Sequence, residues 1–229
     1  MLLIVGAFPP ETELLEDLVG PGLVVQSAGI GPVDAILGLE ALVTEFAPDE
    51  VIFLGSCGQY RGSPECHFIQ GQLFTYLDPA SILGRSRMVP AMRKYSMPRP
   101  GEFATLCMES GEFTPAIVNT TMSLSLEAHG MSYSLLEQAI EGLESLSSTD
   151  AKMTPWIGSR EIGSLSVTEN LEVFGMARFC EIHKIGFSSL MAVTNQVGPD
   201  GSAQWARNYQ SMGRQLQEKV RRLVEKRKG

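Results

Sequence analysis

PDEVIFLGSCG, residues 48–58, is the stretch of sequence that decides the fold. Its run from Val51 to Cys57 is apolar almost throughout, which is typical of a strand covered on both faces by other elements. The run ends in a short segment bounded by Gly55 and Gly58, with a serine and a cysteine between them. This pattern predicts an interior strand of a parallel sheet, with a glycine-rich turn at its carboxyl end.

Similar strand-like runs and several helical patterns lie on either side of this stretch. The further predicted strands are Leu2–Ala7, Leu23–Ala28, Phe68–Leu77, Ala116–Thr121 and Phe187–Thr194. The predicted helices are Pro32–Phe46, Ser134–Leu146, Glu169–Ile182 and Ser202–Lys226, the last with a stripe of Met212, Leu216, Val220 and Leu223. Alternating strands and helices predict an α/β fold: a single domain over residues 1–229, with a mostly parallel, twisted central sheet flanked by helices.

Composition narrows the class of function. The chain has 229 residues, 44% of them hydrophobic and 19% charged, so a substantial core is expected and global disorder is not. A net charge of -8 argues against a general nucleic-acid-binding protein, whose surface is basic. The basic cluster from Lys219 to Lys228 fits a solvated helix end, where cations complement the helix dipole.

Membrane, secretory and metal-binding classes are not indicated. No apolar run has the length of a membrane span, and the first residues pass directly into Gly6, which predicts a core strand and not a signal peptide. The four cysteines are scattered, which favours reduced thiols and a cytoplasmic location. Cys57, Cys66 and His67 have poor spacing for zinc, so no metal is predicted.

The segments that follow the predicted strands carry the polar residues of interest. Ligands of α/β proteins usually bind at the carboxyl ends of the strands. Glu11 follows the first strand, the pair Thr194 and Asn195 ends the last one, and Glu172 stands at a predicted helix start. Each has a purely structural alternative: Glu11 as an acid in a first helical turn, Glu172 as a surface residue, and Asn195 as a turn former. The Gly29-Ile-Gly31 turn lacks the full dinucleotide fingerprint, so no cofactor is predicted.

The order of these segments resembles the purine nucleosidase and nucleoside phosphorylase superfamily, particularly the methylthioadenosine/S-adenosylhomocysteine nucleosidase and futalosine hydrolase branch. Ala28-Gly-Ile-Gly-Pro-Val-Asp-Ala35 resembles its T-G-I-G-K-V-N-A helix start, and residues 48–58 resemble its P-D-x-[hydrophobic]-G-S-[AC]-G segment. Glu169-Asn-Leu-Glu-Val-Phe-Gly-Met-Ala177 resembles V-E-M-E-x-x-x-[apolar]-A. The opening Gly6-Ala-Phe-Pro-Pro-Glu11 and the final Val193-Thr-Asn195 complete the set. The likeness covers about residues 1–60 and 165–226.

The resemblance implies a fold, a reaction and roles for individual residues. The fold is nucleoside phosphorylase-like, and the reaction is hydrolysis of the N-glycosidic bond of a purine nucleoside. Glu11 falls on the water-activating glutamate and Glu172 on the ribose-binding one, whereas Asn195 is expected to read the base. Substrate contacts are also expected from Ser56, Gly58, Leu171 and Thr194.

The early loops favour water as the nucleophile, and Asn195 favours a 6-oxopurine as the base. Residues 1–60 contain no Arg or Lys, which favours water over phosphate as the nucleophile. An asparagine is similar to what the 6-oxopurine-specific phosphorylases carry, whereas the adenine-specific nucleosidases have an aspartate. A futalosine- or inosine-like substrate is therefore predicted. Purine nucleoside phosphorolysis and a non-catalytic nucleoside-binding protein stay open as alternatives.

Departures from the superfamily pattern concern the sugar and base pockets. Leu171 replaces a methionine and Val173 a small residue, which is expected to reshape the sugar pocket. Phe174 is the residue proposed for the purine-stacking aromatic. From the resemblance we also expect a homo-oligomer, a dimer or higher, whose small-molecule partner is a purine nucleoside, with no nucleic-acid or membrane partner.

Overall fold

The computed structural model describes residues 1–88, 94–122, 138–139 and 165–228 of the chain. Eight strands of these residues form one sheet: β1 Leu2–Gly6, β2 Leu23–Ser27, β3 Glu50–Gln59, β4 Phe68–Tyr76, β5 Lys94–Ser96, β6 Thr114–Thr120, β7 Ser166–Asn170 and β8 Gly186–Gln196. The α-helices are α1 Pro32–Phe46, α2 Pro79–Ile82, α3 Glu102–Ser110, α4 Val173–His183 and α5 Gly201–Lys228. Two 3-10 turns, Pro9–Glu11 and Glu13–Leu18, follow β1.

The sheet is mostly parallel, as predicted, and part of it closes on itself. Parallel pairing joins β2 to β1, β1 to β3, β3 to β8, β4 to β6 and β6 to β7. Antiparallel pairing joins β3 to β7, β4 to β5 and β4 to β8. The pairings of β3, β8, β4, β6 and β7 therefore form a closed ring, and β1, β2 and β5 extend it.

Helices cover the sheet on both sides and bury two large apolar clusters. On one side, Leu39 of α1 and Met176 of α4 pack with Phe53 and Phe187 of the sheet. On the other side, α3 and the predicted stripe of α5 pack against β1, β3 and β8. Leu216, Val220 and Leu223 of that stripe are buried, and Met212 is partly buried. The predicted helix-flanked architecture is confirmed.

Close packing at Gly38 fixes α1 against the loop that follows β2. A Cβ at Gly38 would lie 1.7 Å from the carbonyl oxygen of Ala28, so only glycine fits. Ala28 begins the Gly-Ile-Gly turn that leads into α1. Because helix and turn are held together here, the turn has a fixed position at the edge of the site.

The structure corrects one prediction and adds elements to the middle of the chain. The predicted helix Glu169–Ile182 is wrong at its start, because residues 166–170 form strand β7 and the helix begins at Val173. Residues 79–115 contain α2, β5 and α3 in their described part. The predicted helix Ser134–Leu146 falls outside the described residues except at 138–139. None of the helices in the described ranges is long and apolar enough to cross a membrane.

Candidate active site

A cavity of about 510 Å³ opens where β1, β3, β7 and β8 end. Six of the seven residues predicted for the site line it: Glu11, Ser56, Gly58, Leu171, Glu172 and Asn195. The seventh, Thr194, is 2% exposed and is not among the lining residues. The described lining residues include no lysine, arginine or histidine, whereas three of them are glutamates. The cavity therefore favours a ligand that is cationic or becomes so.

The end of β3 brings the lining segments together. A register shift lies between Cys57 and Gly58, after which Gly58 pairs with Asn195 of β8. On its other edge, Gly58 pairs with Glu169 of β7. A bulge of this kind bends a strand and changes the direction of its side chains. It places the carboxyl ends of three strands around one small residue.

Glu11 lies at the floor of the cavity with its carboxyl group over two glycines. Its Oε2 accepts the backbone N–H of Ala7 at 2.7 Å. A Cβ at Gly6 would lie 2.9 Å from the Glu11 Cβ, and one at Gly55 would lie 3.3 Å from its Oε1. The two glycines thus leave the space that the carboxyl group occupies.

Burial raises the pKa of Glu11 from 4.5 to about 8. The nearby charge of Glu172 contributes to this rise, and backbone N–H groups of Ala7, Ser56 and Phe8 oppose it. A carboxyl group with a pKa near neutrality can exchange a proton with water at physiological pH. That property suits a general base.

Glu172 stands at the N-terminal end of α4 and faces the turn after β2. Its Oε1 accepts the backbone N–H of Gly31 at 3.0 Å, and the residue is 6% exposed. Burial raises the pKa of Glu172, and the Gly31 N–H opposes that rise. A buried carboxyl group on the cavity wall can accept a hydrogen bond from a sugar hydroxyl and stabilise positive charge beside it.

Asn170 holds the Glu172 loop in place. Its Oδ1 accepts the backbone N–H groups of Glu172 at 2.7 Å and Val173 at 3.0 Å, which is how an asparagine caps a helix. Its Nδ2 donates to the backbone carbonyl of Ser56 at 3.1 Å. One amide therefore ties the start of α4 to the end of β3.

Asn195 presents its amide nitrogen at the position that Gly58 leaves open. The Thr194 hydroxyl donates to Asn195 Oδ1 at 3.0 Å, and Asn195 Nδ2 donates to the Gln196 carbonyl at 3.1 Å. A Cβ at Gly58 would lie 2.7 Å from that Nδ2. Thr194 therefore orients Asn195 from behind. The amide offers a donor, but it cannot act as a general acid.

Trp205 is a cavity residue that sequence reasoning missed. Its Nε1–H donates to Ser56 Oγ at 3.0 Å, and its ring stacks on Tyr209 with a centroid distance of 4.4 Å and an interplanar angle of 11°. The available signal was its place in the first turns of the long helix that follows Asn195. Phe174, the aromatic proposed from sequence, stacks instead on Tyr76 at 5.7 Å and is not among the lining residues.

Glu169 is a second missed cavity residue. It is 5% exposed, and its Oε2 accepts the Tyr60 hydroxyl at 2.7 Å. Sequence reasoning assigned it to a helix start, because the neighbouring residues have helical spacing. As part of β7, it projects beside Gly58 instead.

A smaller cavity of about 150 Å³ lies on the α5 side of Glu11. It shares Glu11 and Ser56 with the large cavity and is also lined by Glu13, Gly213 and Arg214. Leu171, by contrast, lies on the wall of the large cavity only. The carboxyl group of Glu11 therefore borders two spaces.

The cysteines take no part in a metal site within the described part of the chain. No three His, Cys, Asp or Glu side chains there are grouped to hold a metal ion. All four cysteines are unpaired, and burial raises the pKa of the Cys57 and Cys66 thiols. Cys57 instead contacts the Ala192 carbonyl at 3.6 Å.

Solved structures of nucleosidases share this architecture over nearly the whole chain. The 5'-methylthioadenosine/S-adenosylhomocysteine nucleosidase of Neisseria meningitidis, in complex with methylthio-immucillin-A, superimposes with a TM-score of 0.70. Identity is 15%, and the match covers 98% of each chain. The chain has the nucleosidase fold.

Two further nucleosidase-fold structures agree with this result. The S. pneumoniae enzyme of the same name, with the transition-state inhibitor MT-ImmA, has a TM-score of 0.66 at 16% identity over 97% of each chain. Native futalosine hydrolase of Helicobacter pylori has a TM-score of 0.66 at 12% identity, covering 99% of this chain and 97% of that one. No protein-family model matches the sequence, and no curated protein matches it. The structural comparisons therefore confirm the predicted nucleoside phosphorylase-like fold, and the sequence comparisons do not contribute to that result.

Proposed function

We propose that this protein hydrolyses the N-glycosidic bond of a purine nucleoside, of the 6-oxopurine type. The observation that carries the proposal is the pair of desolvated carboxyl groups, Glu11 and Glu172, on one cavity of a nucleosidase fold. The solved structures that share this fold are named as a 5'-methylthioadenosine/S-adenosylhomocysteine nucleosidase and a futalosine hydrolase, which supports a nucleoside as the substrate.

The two carboxyl groups suit the sugar half of the reaction. As the bond from C1' to the purine nitrogen breaks, its electron pair leaves with the base and the sugar becomes an oxocarbenium-like cation. Charged Glu11 and Glu172 are costly in the empty cavity, since burial disfavours their ionised forms. A cation between them removes much of that cost, so the interaction is stronger in the transition state than in the ground state. Glu172 also accepts a hydrogen bond from the ribose 2'-hydroxyl.

Water is the proposed nucleophile, and Glu11 its base. Ionised Glu11 takes one proton from water as the water oxygen forms its bond to C1'. The departing purine takes a proton from solvent while Asn195 Nδ2 donates a hydrogen bond to an acceptor on its edge. The products are free base and free sugar. The donor at Asn195 fits the N7 and O6 acceptors of a 6-oxopurine.

Phosphorolysis is the second candidate, and Arg214 is the observation that favours it. Arg214 lines the small cavity beside Glu11, so a cation is present there although residues 1–60 contain none. Glu11 and Glu13 line the same space, however, and a phosphate dianion is disfavoured beside these carboxyl groups whenever they are ionised. Hydrolysis is therefore the preferred reaction.

A nucleoside panel with chromatographic detection tests the proposal. Inosine, guanosine, adenosine and futalosine are incubated with the protein in phosphate-free buffer and in phosphate buffer. The expected result is free 6-oxopurine base and free sugar in both buffers, with Glu172→Gln reducing the rate at least about 100-fold. Turnover that requires phosphate and yields a sugar phosphate replaces hydrolysis with phosphorolysis. Tight nucleoside binding with no turnover supports a non-catalytic binding protein.

A further inference from the structure

Gln217 is a fully buried amide of α5 that contacts the two 3-10 turns around Glu11. Its Oε1 accepts the backbone N–H of Leu14 at 2.8 Å, and its Nε2 donates to the backbone carbonyl of Pro10 at 3.0 Å. Nε2 also donates to the Gly213 carbonyl, one turn earlier on α5, at 3.3 Å. The two bonds to the turns lie on either side of Glu11 in the chain. One side chain from the far end of the sequence therefore holds both flanks of that residue.

Packing alone does not account for a glutamine at position 217. Its buried neighbours on α5, Leu216 and Val220, are apolar and belong to the core cluster on this side of the sheet. Burying an amide costs free energy unless its donors and its acceptor are paired, whereas an apolar side chain of similar size carries no such cost. Gln217 is paired mainly with backbone groups of the Glu11 turns. The residue is therefore better explained by the backbone that it holds than by the space that it fills.

The turns around Glu11 depend on contacts from α5 for their position. Short 3-10 turns have poorer hydrogen-bond geometry than an α-helix, so their own bonds fix them weakly. The ion pair between Arg221 and Asp17 also joins α5 to these turns. Asp17 is exposed, however, and exposed ion pairs contribute little stability. Gln217 makes the same connection from the buried side.

The Glu11 carboxyl group tolerates little movement of these turns. A Cβ at Gly6 or at Gly55 would lie 3.3 Å from one of its two oxygens, so the group fits closely against the backbone of β1 and β3. A displacement of about 1 Å can cost about 100-fold in the rate of an enzyme. An element that fixes the turns therefore bears directly on the proposed general base.

We propose that Gln217 is a positioning residue, which holds the backbone on both sides of Glu11 so that the carboxyl group stays over its two glycines and shielded from bulk water. The catalytic part of this proposal rests on the proposed function, whereas the shielding part does not. Gln217 lines neither the large nor the small cavity, so it acts only through the backbone of residues 10–14. Burial is the main cause of the raised pKa of Glu11, so turns that are loosened and admit water are expected to lower that pKa from about 8 towards 4.5.

A comparison of variants that needs no catalysis tests the shielding. Between pH 4.5 and pH 8.5, Glu11→Gln is expected to gain free energy of unfolding relative to a protein with Glu11, because burial opposes the ionisation of Glu11. Urea unfolding measures this gain in the wild-type background and again with Gln217→Met, which removes the three hydrogen bonds and nearly keeps the volume. We expect the gain to fall by at least about half with Gln217→Met, because the pKa of a better hydrated Glu11 lies closer to 4.5. An equal gain in both backgrounds overturns the proposal.

Gln70→Met is the matched control. Gln70 is also a buried amide that joins two elements, since its Nε2 donates from β4 to the Ala104 carbonyl of α3 at 2.8 Å, and it lines neither cavity beside Glu11. Its replacement is expected to lower stability and to leave the gain from Glu11→Gln unchanged. An equal reduction of the gain with Gln70→Met assigns the effect to general loosening and overturns the proposal. If Gln217→Met does not fold, Gln217→Asn takes its place, because its amide is one methylene too short to reach both flanks of Glu11.

The charged groups around Glu11 are the same in all of these backgrounds. Glu172 faces it from the start of α4, and Glu169 lies on the wall of the large cavity. Glu13 and Arg214 line the small cavity with it. Because every background carries these four groups, their contribution largely cancels when the gains from Glu11→Gln are compared.

The catalytic part of the proposal has its own readout in the pH profile of inosine cleavage. With Gln217→Met, the midpoint of kcat/KM is expected to move at least about one pH unit below the wild-type value, which is expected near pH 8. On the plateau, kcat is expected to fall about 10- to 100-fold while KM stays within about threefold, because Gln217 does not hold Glu172 or Asn195. An unchanged midpoint, or a loss confined to KM, contradicts positioning by Gln217 and leaves the hydrolytic activity standing. If the wild type cleaves no nucleoside, hydrolysis is wrong, and the unfolding comparison still decides whether Gln217 shields Glu11.

Discussion

Replacing Glu11 with glutamine is expected to weaken the loss of stability that this protein shows as pH rises. The folded protein holds the Glu11 proton up to a pKa of about 8, whereas the unfolded chain releases it above 4.5. Between these values the folded state binds more protons than the unfolded state, so the free energy of unfolding falls as pH rises. Glutamine stays neutral, and its side-chain oxygen can still accept the Ala7 N–H.

The size of the effect follows from the difference of 3.5 between these two values, 8 and 4.5. At about 1.4 kcal/mol for each unit, the full difference corresponds to about 5 kcal/mol. Glu11 is partly exposed to the cavity, where water screens its charge, so we expect about 2–4 kcal/mol. Glu11→Gln is therefore expected to match the wild type near pH 4.5 and to exceed its stability by that amount at pH 8.5.

Urea unfolding at several pH values between 4.5 and 8.5 measures this difference, with Glu16→Gln as the control. Glu16 is an exposed glutamate of the same 3-10 region, so its replacement is expected to leave the pH dependence unchanged. Taking the difference between variant and wild type removes the contribution of Glu172, whose raised pKa has the same sign. A stability difference between Glu11→Gln and wild type that stays constant across this range refutes the reasoning.

Catalysis is expected to follow the opposite course over the same pH range. Only ionised Glu11 can take a proton from water, so kcat/KM of the wild type is expected to rise with pH, reach half of its plateau near pH 8 and level off above it. Glu11→Gln is expected to lose at least about 100-fold in kcat. An active Glu11→Gln variant with an unchanged pH profile contradicts the role of Glu11 as base.

Three other substitutions test the site. Asn195→Asp is expected to shift preference from 6-oxopurine towards adenine nucleosides, measured as the ratio of kcat/KM for inosine and adenosine; an unchanged ratio makes Asn195 a turn residue. Trp205→Ala is expected to raise KM about tenfold, since a purine loses an aromatic face worth about 1–3 kcal/mol, and an unchanged KM removes Trp205 from the base pocket. Gly55→Ala is expected to destabilise the protein by about 1–3 kcal/mol, because its Cβ would lie 2.6 Å from the buried Phe53 ring. Gly213→Ala, in open space on α5, is its control and is expected to be neutral or stabilising in thermal unfolding.

The sequence predicted the six strands whose residues are largely apolar and missed β5 and β7, whose residues are mostly polar. Val51–Cys57 was recognisable because it is buried by hydrocarbon on both faces. In β7, Ser-Val-Thr-Glu-Asn is also buried at every position, but by polar partners. Gln59 donates to Ser166 at 3.0 Å, and Tyr60 donates to Glu169. A hydropathy pattern does not identify a strand whose burial depends on hydrogen bonds from residues distant in the chain.

The same physical reason divides the site residues that were predicted from those that were missed. Glu11 follows β1, Glu172 stands at the start of α4 and Asn195 lies near the end of β8, so their positions in the chain indicated their places in the fold. Trp205 lies ten residues beyond Asn195 and reaches Ser56 only because α5 folds back across the end of β3. The aromatic partner of the cavity therefore depended on tertiary packing, which residue spacing along the chain does not encode.

The burial of Glu11 and Glu172 links the stability of the empty protein to the reaction it is proposed to perform. A polar or solvated site would hold two charged carboxylates at little cost and would gain little when a cation formed between them. In this cavity burial raises the pKa of both carboxyl groups, and the charge of Glu172 adds to the rise for Glu11. Backbone N–H groups oppose both rises, and the Asn170 side chain also opposes that of Glu172. A developing sugar cation recovers much of the free energy lost on ionising Glu11 in the empty site. The measured gain in stability of Glu11→Gln at pH 8.5 is therefore expected to set an upper bound on the part of its loss in catalysis that is due to charge.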